Sequence, residues 1–124
     1  MHMLRDGNGK GELDLEHRSA AHQMLRREVN ERITKLANGN NLRDQIDVFC
    51  ECGRDECAER LSVSTSDYER VRRFSTHFIV LEGHDVLQSE RVVDECDGFV
   101  VVEKTGSAGI YAVRVDPRRQ RADV

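Results

Sequence analysis

Apolar residues between Leu13 and Ala37 recur at Ala21, Leu25, Val29, Ile33 and Leu36, intervals of four and three that lay one stripe along an amphipathic helix. Asn38-Gly39 supplies residues that tolerate the left-handed conformation at a helix end, and Asn40-Asn41 prolong the break. The period then changes. Ile46, Val48, Cys50 and Cys52 alternate with Asp47, Phe49 and Glu51, as a strand requires, so the two cysteines fall on one side. A glycine-bearing turn, Cys52-Gly53-Arg54-Asp55-Glu56-Cys57, doubles the chain back toward a short strand carrying Leu61 and Val63. Ser64 with Asp67, or Ser66 with Glu69, caps a short helix from about Thr65 to Phe74, and the pattern does not choose between the caps.

Further strands are predicted at Thr76–Leu81, closed by Glu82-Gly83-His84-Asp85, and on both sides of Asp97-Gly98, a hairpin dipeptide between Val92-Val93 and Phe99–Val102. A last apolar run, Ile110–Val115, follows the glycine-rich Gly106–Gly109, completes the set of strands and stops at Asp116-Pro117. Residues 1–12 carry three glycines among mostly polar residues and are expected not to order. The organisation is therefore one domain over residues 13–115 with a basic, unstructured tail at 116–124.

Composition narrows this picture. A chain of 124 residues with 38% hydrophobic and 34% charged residues, four Phe, two Tyr and no Trp supports one domain with a thin core, and small domains of this kind use staples. No apolar run approaches the roughly 18 residues that cross a bilayer, and no signal segment opens the chain, so no membrane role and a cytoplasmic location are expected. Residues 45–104 hold 14 acidic and 7 basic side chains, a field that disfavours nucleic acid and points to a protein partner. Arg70, Arg72 and Arg73, and the tail arginines Arg118, Arg119 and Arg121, read as solvated surface.

In a reducing compartment, cysteines at short spacing are more often metal ligands than disulfides. Cys50-Glu51-Cys52, then four residues, then Cys57 puts two sulfurs of one strand and a third from a turn around one point. Zinc in structural sites takes four Cys or His ligands in a tetrahedron, so a fourth is required. The candidates are His84, Cys96, His77, His17 and His22, and spacing alone does not separate His84 from Cys96. The order of elements makes the fold α+β, with a long N-terminal amphipathic helix, then a small, mostly antiparallel sheet with one short helix and a zinc-binding turn. Iron-sulfur ligation falls one cysteine short of the usual set. Gly7–Gly11 lacks the spacing of a phosphate loop, Glu16, His17 and His22 lack that of a zinc hydrolase, and Asn30 reads as the exposed side of the helix.

The C-x-C-x4-C spacing completed by a distant cysteine is similar to the zinc-binding tail of SET-domain methyltransferases; the likeness stops at the three cysteines and implies the metal, not methyl transfer. A longer series resembles an uncharacterised small bacterial family, mostly actinobacterial. It comprises Arg27–Ile33, Phe49–Gly53 with Cys57 and Glu59, Asp67–Arg72, Gly83-His84, Glu90–Val93 and Val101–Lys104, in order across about residues 24–104. In that family the Gly-His pair usually follows Pro and precedes Glu, places taken here by Glu82 and Asp85, and Cys96 lies outside the shared signature. The resemblance implies Cys50, Cys52, Cys57 and His84 as the ligand set and brings no activity with it. The expectation is a non-enzymatic domain with a structural Zn2+ site, acting as an interaction or regulatory module. The alternative is a thiol-based redox regulator that releases zinc on oxidation. A catalytic zinc enzyme ranks last, because a thiolate-rich shell lowers Lewis acidity.

Overall fold

The computed structural model describes residues 2–39, 45–86 and 89–118. Helix α1 (His2–Gly39) leads to strand β1 (Gln45–Phe49), then β2 (Arg60–Ser64), helix α2 (Thr65–Val71), β3 (His77–Val80), β4 (Glu90–Cys96), β5 (Phe99–Lys104) and helix α3 (Gly106–Arg114). The fold is α+β, with two small antiparallel sheets where one was expected: β1 pairs with β2, and β3-β5-β4 form the other. Among the described residues no helix is long and apolar enough to cross a membrane.

Local chemistry explains most boundaries. The β4/β5 hairpin turns at Asp97-Gly98, where Gly98 has φ 89°, a conformation that side chains with a Cβ rarely adopt. Ser64 is the cap of α2, accepting from the Asp67 N–H at 3.0 Å, which resolves the two alternatives. Strand β5 is central and buried on both faces. Phe99 and Val101 join Ile46, Val48, Leu61 and Ile79 in one apolar cluster; Val100 and Val102 join Phe78, Val80 and Ala112 in a second, which also takes in Cys50 and Cys52. The β1–β2 connection, residues 50–59, therefore starts inside the core.

Three expectations change. Residues 110–115 do not form a strand: α3 covers Gly106–Arg114. Short apolar runs fit either period, and here β5 is already paired on both edges, so a helix satisfies the following backbone internally. Gly109 lets α3 approach, since a Cβ there would lie 2.7 Å from the Lys104 carbonyl oxygen. The backbone of α1 is helical from His2, ahead of the Leu13 start, and no proline interrupts that segment. The chain beyond Val115 also belongs to the fold as far as Arg118. Asp116 is buried against Arg72 at 2.7 Å, and Arg118 reaches Glu31 at 2.6 Å and Glu69 at 2.8 Å. Two arginines expected on solvated surface thus serve internal ion pairs; residues 119–124 lie outside the described residues.

The largest difference concerns which side of α1 faces inward. The buried positions are Gln23, Arg27, Asn30, Thr34 and Ala37, nearly opposite Leu25 and Leu36, which are 59% and 66% exposed. Only the flank of the apolar stripe, Ile33, packs on the first cluster, and Met24 packs on the second. The surface beneath α1 consists of carbonyls and a carboxylate, so burial there demands donors. Asn30 donates to the Phe49 carbonyl at 2.8 Å and to Glu51 at 2.9 Å, while its own oxygen accepts the Phe49 N–H. Arg27 donates to the carbonyls of Ser75 and His77, with its guanidinium 4.0 Å from the centre of the Phe78 ring. Burial and the nearby Arg72 charge pull Arg27 down to about 10, so it remains a cation at neutral pH.

The Arg72–Asp116 pair generates a pH prediction. Desolvation pushes the Asp116 carboxyl up, but hydrogen bonds from Arg72 and Ser75 outweigh it and hold the group at about 2 against an ordinary 3.8. A depressed acid stabilises the fold fully above its unfolded value and loses that contribution as pH falls through the folded one. Urea unfolding of the parent and of Asp116→Ala should differ by ~3 kcal/mol at pH 7, the scale of breaking a buried pair. That gap should close between about pH 4 and pH 2; a gap constant with pH would refute the assignment.

Candidate metal centre

Cys50, Cys52, Cys57 and His84 come together from two loops, with one donor atom of each lying within 4.8 Å of every other. The first loop leaves β1 with Cys50, whose N–H donates to the Glu59 carbonyl at 2.9 Å, and curls through a turn closed by Cys57 N–H to Arg54 carbonyl at 3.3 Å. The second follows β3, where Gly83 with φ 88° turns the chain and His84 N–H donates to Leu81 carbonyl at 2.9 Å. The two are tied together by Arg54, which donates to the Gly83 carbonyl at 3.1 Å, and by the Leu81 N–H, which points at Cys50 Sγ at 3.2 Å.

His84 presents Nδ1 to the sulfurs, 3.6 Å from Cys50 and 3.7 Å from Cys57. A tetrahedron with Zn–S near 2.3 Å and Zn–N near 2.05 Å has S···N edges of about 3.6 Å and S···S edges of about 3.8 Å. The two His84 edges therefore match those of a four-coordinate site, and the group is compatible with a bound metal ion. Cys50 and Cys52 are buried and Cys57 is half-buried. Hydrogen bonding from Cys50 outweighs burial and lowers the Cys52 thiol to about 4, while the same sharing, together with burial, pushes the Cys50 thiol up. The guanidinium of Arg26 adds a positive charge 3.9 Å from Cys52 Sγ.

The other candidate ligands are elsewhere. Cys96 is exposed at the end of β4 and takes no part in the group. His77 lies 3.7 Å from Glu103 and stacks on Phe74, and His22 Nδ1 lies 2.9 Å from the Asp55 carboxylate. The side chain of His17 is outside the described residues.

Several groups that shape the centre escaped the sequence reading. Glu51, between two of the cysteines, is fully buried; its carboxylate accepts from Tyr68 at 2.6 Å, Asn30 at 2.9 Å and the Ile79 N–H at 3.1 Å. Burial and the neighbouring Glu51 charge hold the Tyr68 hydroxyl well above its usual range, so it remains a donor. Gln23 bridges from α1 to the Glu51 carbonyl at 3.2 Å and to Glu90, which pairs with Lys104 at 2.9 Å. Arg26 collects the carbonyls of Cys52, Arg54 and Cys57, and Gly53 packs so closely that a Cβ would lie 1.8 Å from Ser19 Oγ. Strict alternation points the other way for Glu51, which shares the side of the exposed Gln45 and Asp47, so its burial leaves no local signal.

No family model, curated protein or solved structure matches this chain, so the reading of the centre rests on its own geometry.

Proposed function

We propose that the protein is a non-enzymatic zinc-binding module whose Cys50, Cys52, Cys57 and His84 hold one structural Zn2+, and that it acts as an interaction or regulatory domain toward a protein partner. The observation that carries the reading is the four-donor group with its 3.6 and 3.7 Å S···N edges. Three thiolates and one imidazole complete the tetrahedron zinc prefers, leave no position for a substrate, and select a borderline-soft ion over Mg2+ or Ca2+. Such ligation contributes directly to folding, because the ion holds together loops that do not meet in the unfolded chain. It is the staple that a thin core without Trp calls for. The excess of acidic side chains around the site supports a protein partner over nucleic acid.

Elemental analysis of protein purified without added metal should find one zinc per chain. Cys52→Ser and His84→Ala should each lose zinc and lower the melting temperature, whereas Cys96→Ser should leave both unchanged. A purified chain that is folded and free of metal would falsify the reading.

A further inference from the structure

We propose that the metal centre is the lock that docks α1 on the domain: metal bound, the turns of α1 from Ser19 to Asn30 are held; metal released, they detach while the β3-β5-β4 sheet stays folded. The inference rests on the metal reading above and extends it to what the site controls.

Three observations combine. The inward face of α1 over this stretch is polar, with Gln23, Arg27 and Asn30 fully buried, so directional hydrogen bonds rather than apolar area hold it. Many of its partners belong to the metal loop itself. Arg26 donates to the Cys52 carbonyl, to Arg54 carbonyl at 2.5 Å, to Asp55 carbonyl at 3.4 Å and to Cys57 carbonyl at 2.8 Å. His22 faces Asp55 of the same loop at 2.9 Å, Gln23 and Asn30 bond Glu51, and Ser19 lies against Gly53. Finally, one guanidinium can collect four carbonyls only where the backbone curls to bring them together. Within residues 52–57 the backbone contributes the long Cys57 N–H to Arg54 bond, 3.3 Å, and the other ties are the side chains of Arg26 and Arg54, so an ion joining Cys52 to Cys57 would be the direct clamp on the curl.

Release of the ion uncurls the loop. Hydrogen bonds fail within a few tenths of an ångström of stretching, and a polar face that loses its acceptors is better solvated than buried. The sheet has its own support in the β3-β5-β4 ladders and in Phe78, Val80, Val100 and Val102 packed with Ala112 of α3, although Cys50, Cys52, Cys57 and Met24 border the same cluster. Farther along α1, Ile33 and Ala37 sit in the other apolar cluster and keep the helix tethered. Arg26 is thus a positioning residue: it touches no metal, yet transmits the shape of the loop to the helix.

Hydrogen exchange on the full chain, read by mass spectrometry before and after chelation, tests this alongside zinc content. The expected result is exchange at least about tenfold faster in residues 18–30 on zinc removal, with protection retained in 78–80 and 100–102. Arg26→Gln should bind one zinc per chain and still exchange fast in 18–30, a separation that a merely structural arginine would not produce. If zinc is bound but its removal leaves 18–30 protected, or unfolds helix and sheet together, the lock is wrong while the metal reading survives. If the untreated chain holds no zinc, it is the metal reading that fails.

Discussion

A carboxylate buried between two cysteines of the Cys3His group is the constraint around which the rest is arranged. Glu51 cannot reach water, so its oxygens must be satisfied inside the protein, and the groups that do so come from α1, α2 and β3: Asn30, Tyr68 and the Ile79 backbone. Those three donors fix where the elements sit relative to the cysteines on either side. The network is costly to break and cheap to keep, because removing one partner strands a buried charge.

The same demand explains the unusual contact surface of α1. A helix laid on β1 and the loop beyond it meets backbone carbonyls and the Glu51 carboxylate, and apolar side chains there would leave these acceptors unpaired. Gln23, Arg26, Arg27 and Asn30 supply donors, at the expense of turning Leu25 and Leu36 outward. Hydrogen bonds of this kind specify position more sharply than oil-like packing does, which suits an element that frames the cysteine loop. A second ionic layer, Arg72 with Asp116 and Arg118 with Glu31 and Glu69, closes the far side and recruits the chain end into the fold.

Much of the architecture is legible in the sequence. The Asp-Gly hairpin, the strands at Leu61–Val63 and Thr76–Leu81, the start of α2 near Thr65 and the grouping of Cys50, Cys52 and Cys57 all follow from local rules acting over a few residues, while the choice of Ser64 over Ser66 as cap came from the structure. Where an element had to choose among partners far along the chain, those rules gave out. The Ile110–Val115 run fits strand or helix, and the pairing of β5 on both its edges decided it; Arg118 in the tail looks solvated until its carboxylates are in place. The inward face of α1 is the clearest case, since periodicity locates an apolar stripe but not what that stripe meets.

By itself, then, the sequence determined the α+β class, the three-cysteine loop and a short list of fourth donors, because spacing and turn chemistry act locally. Tertiary structure decided that His84 rather than Cys96 completes the group, that Glu51 and Asn30 are buried, and that Arg26 grips the loop. The physical reason is common to all three. Satisfying a buried polar atom is a matter of which groups arrive within about 3 Å of it, and that distance is set by the packing of elements from opposite ends of the chain.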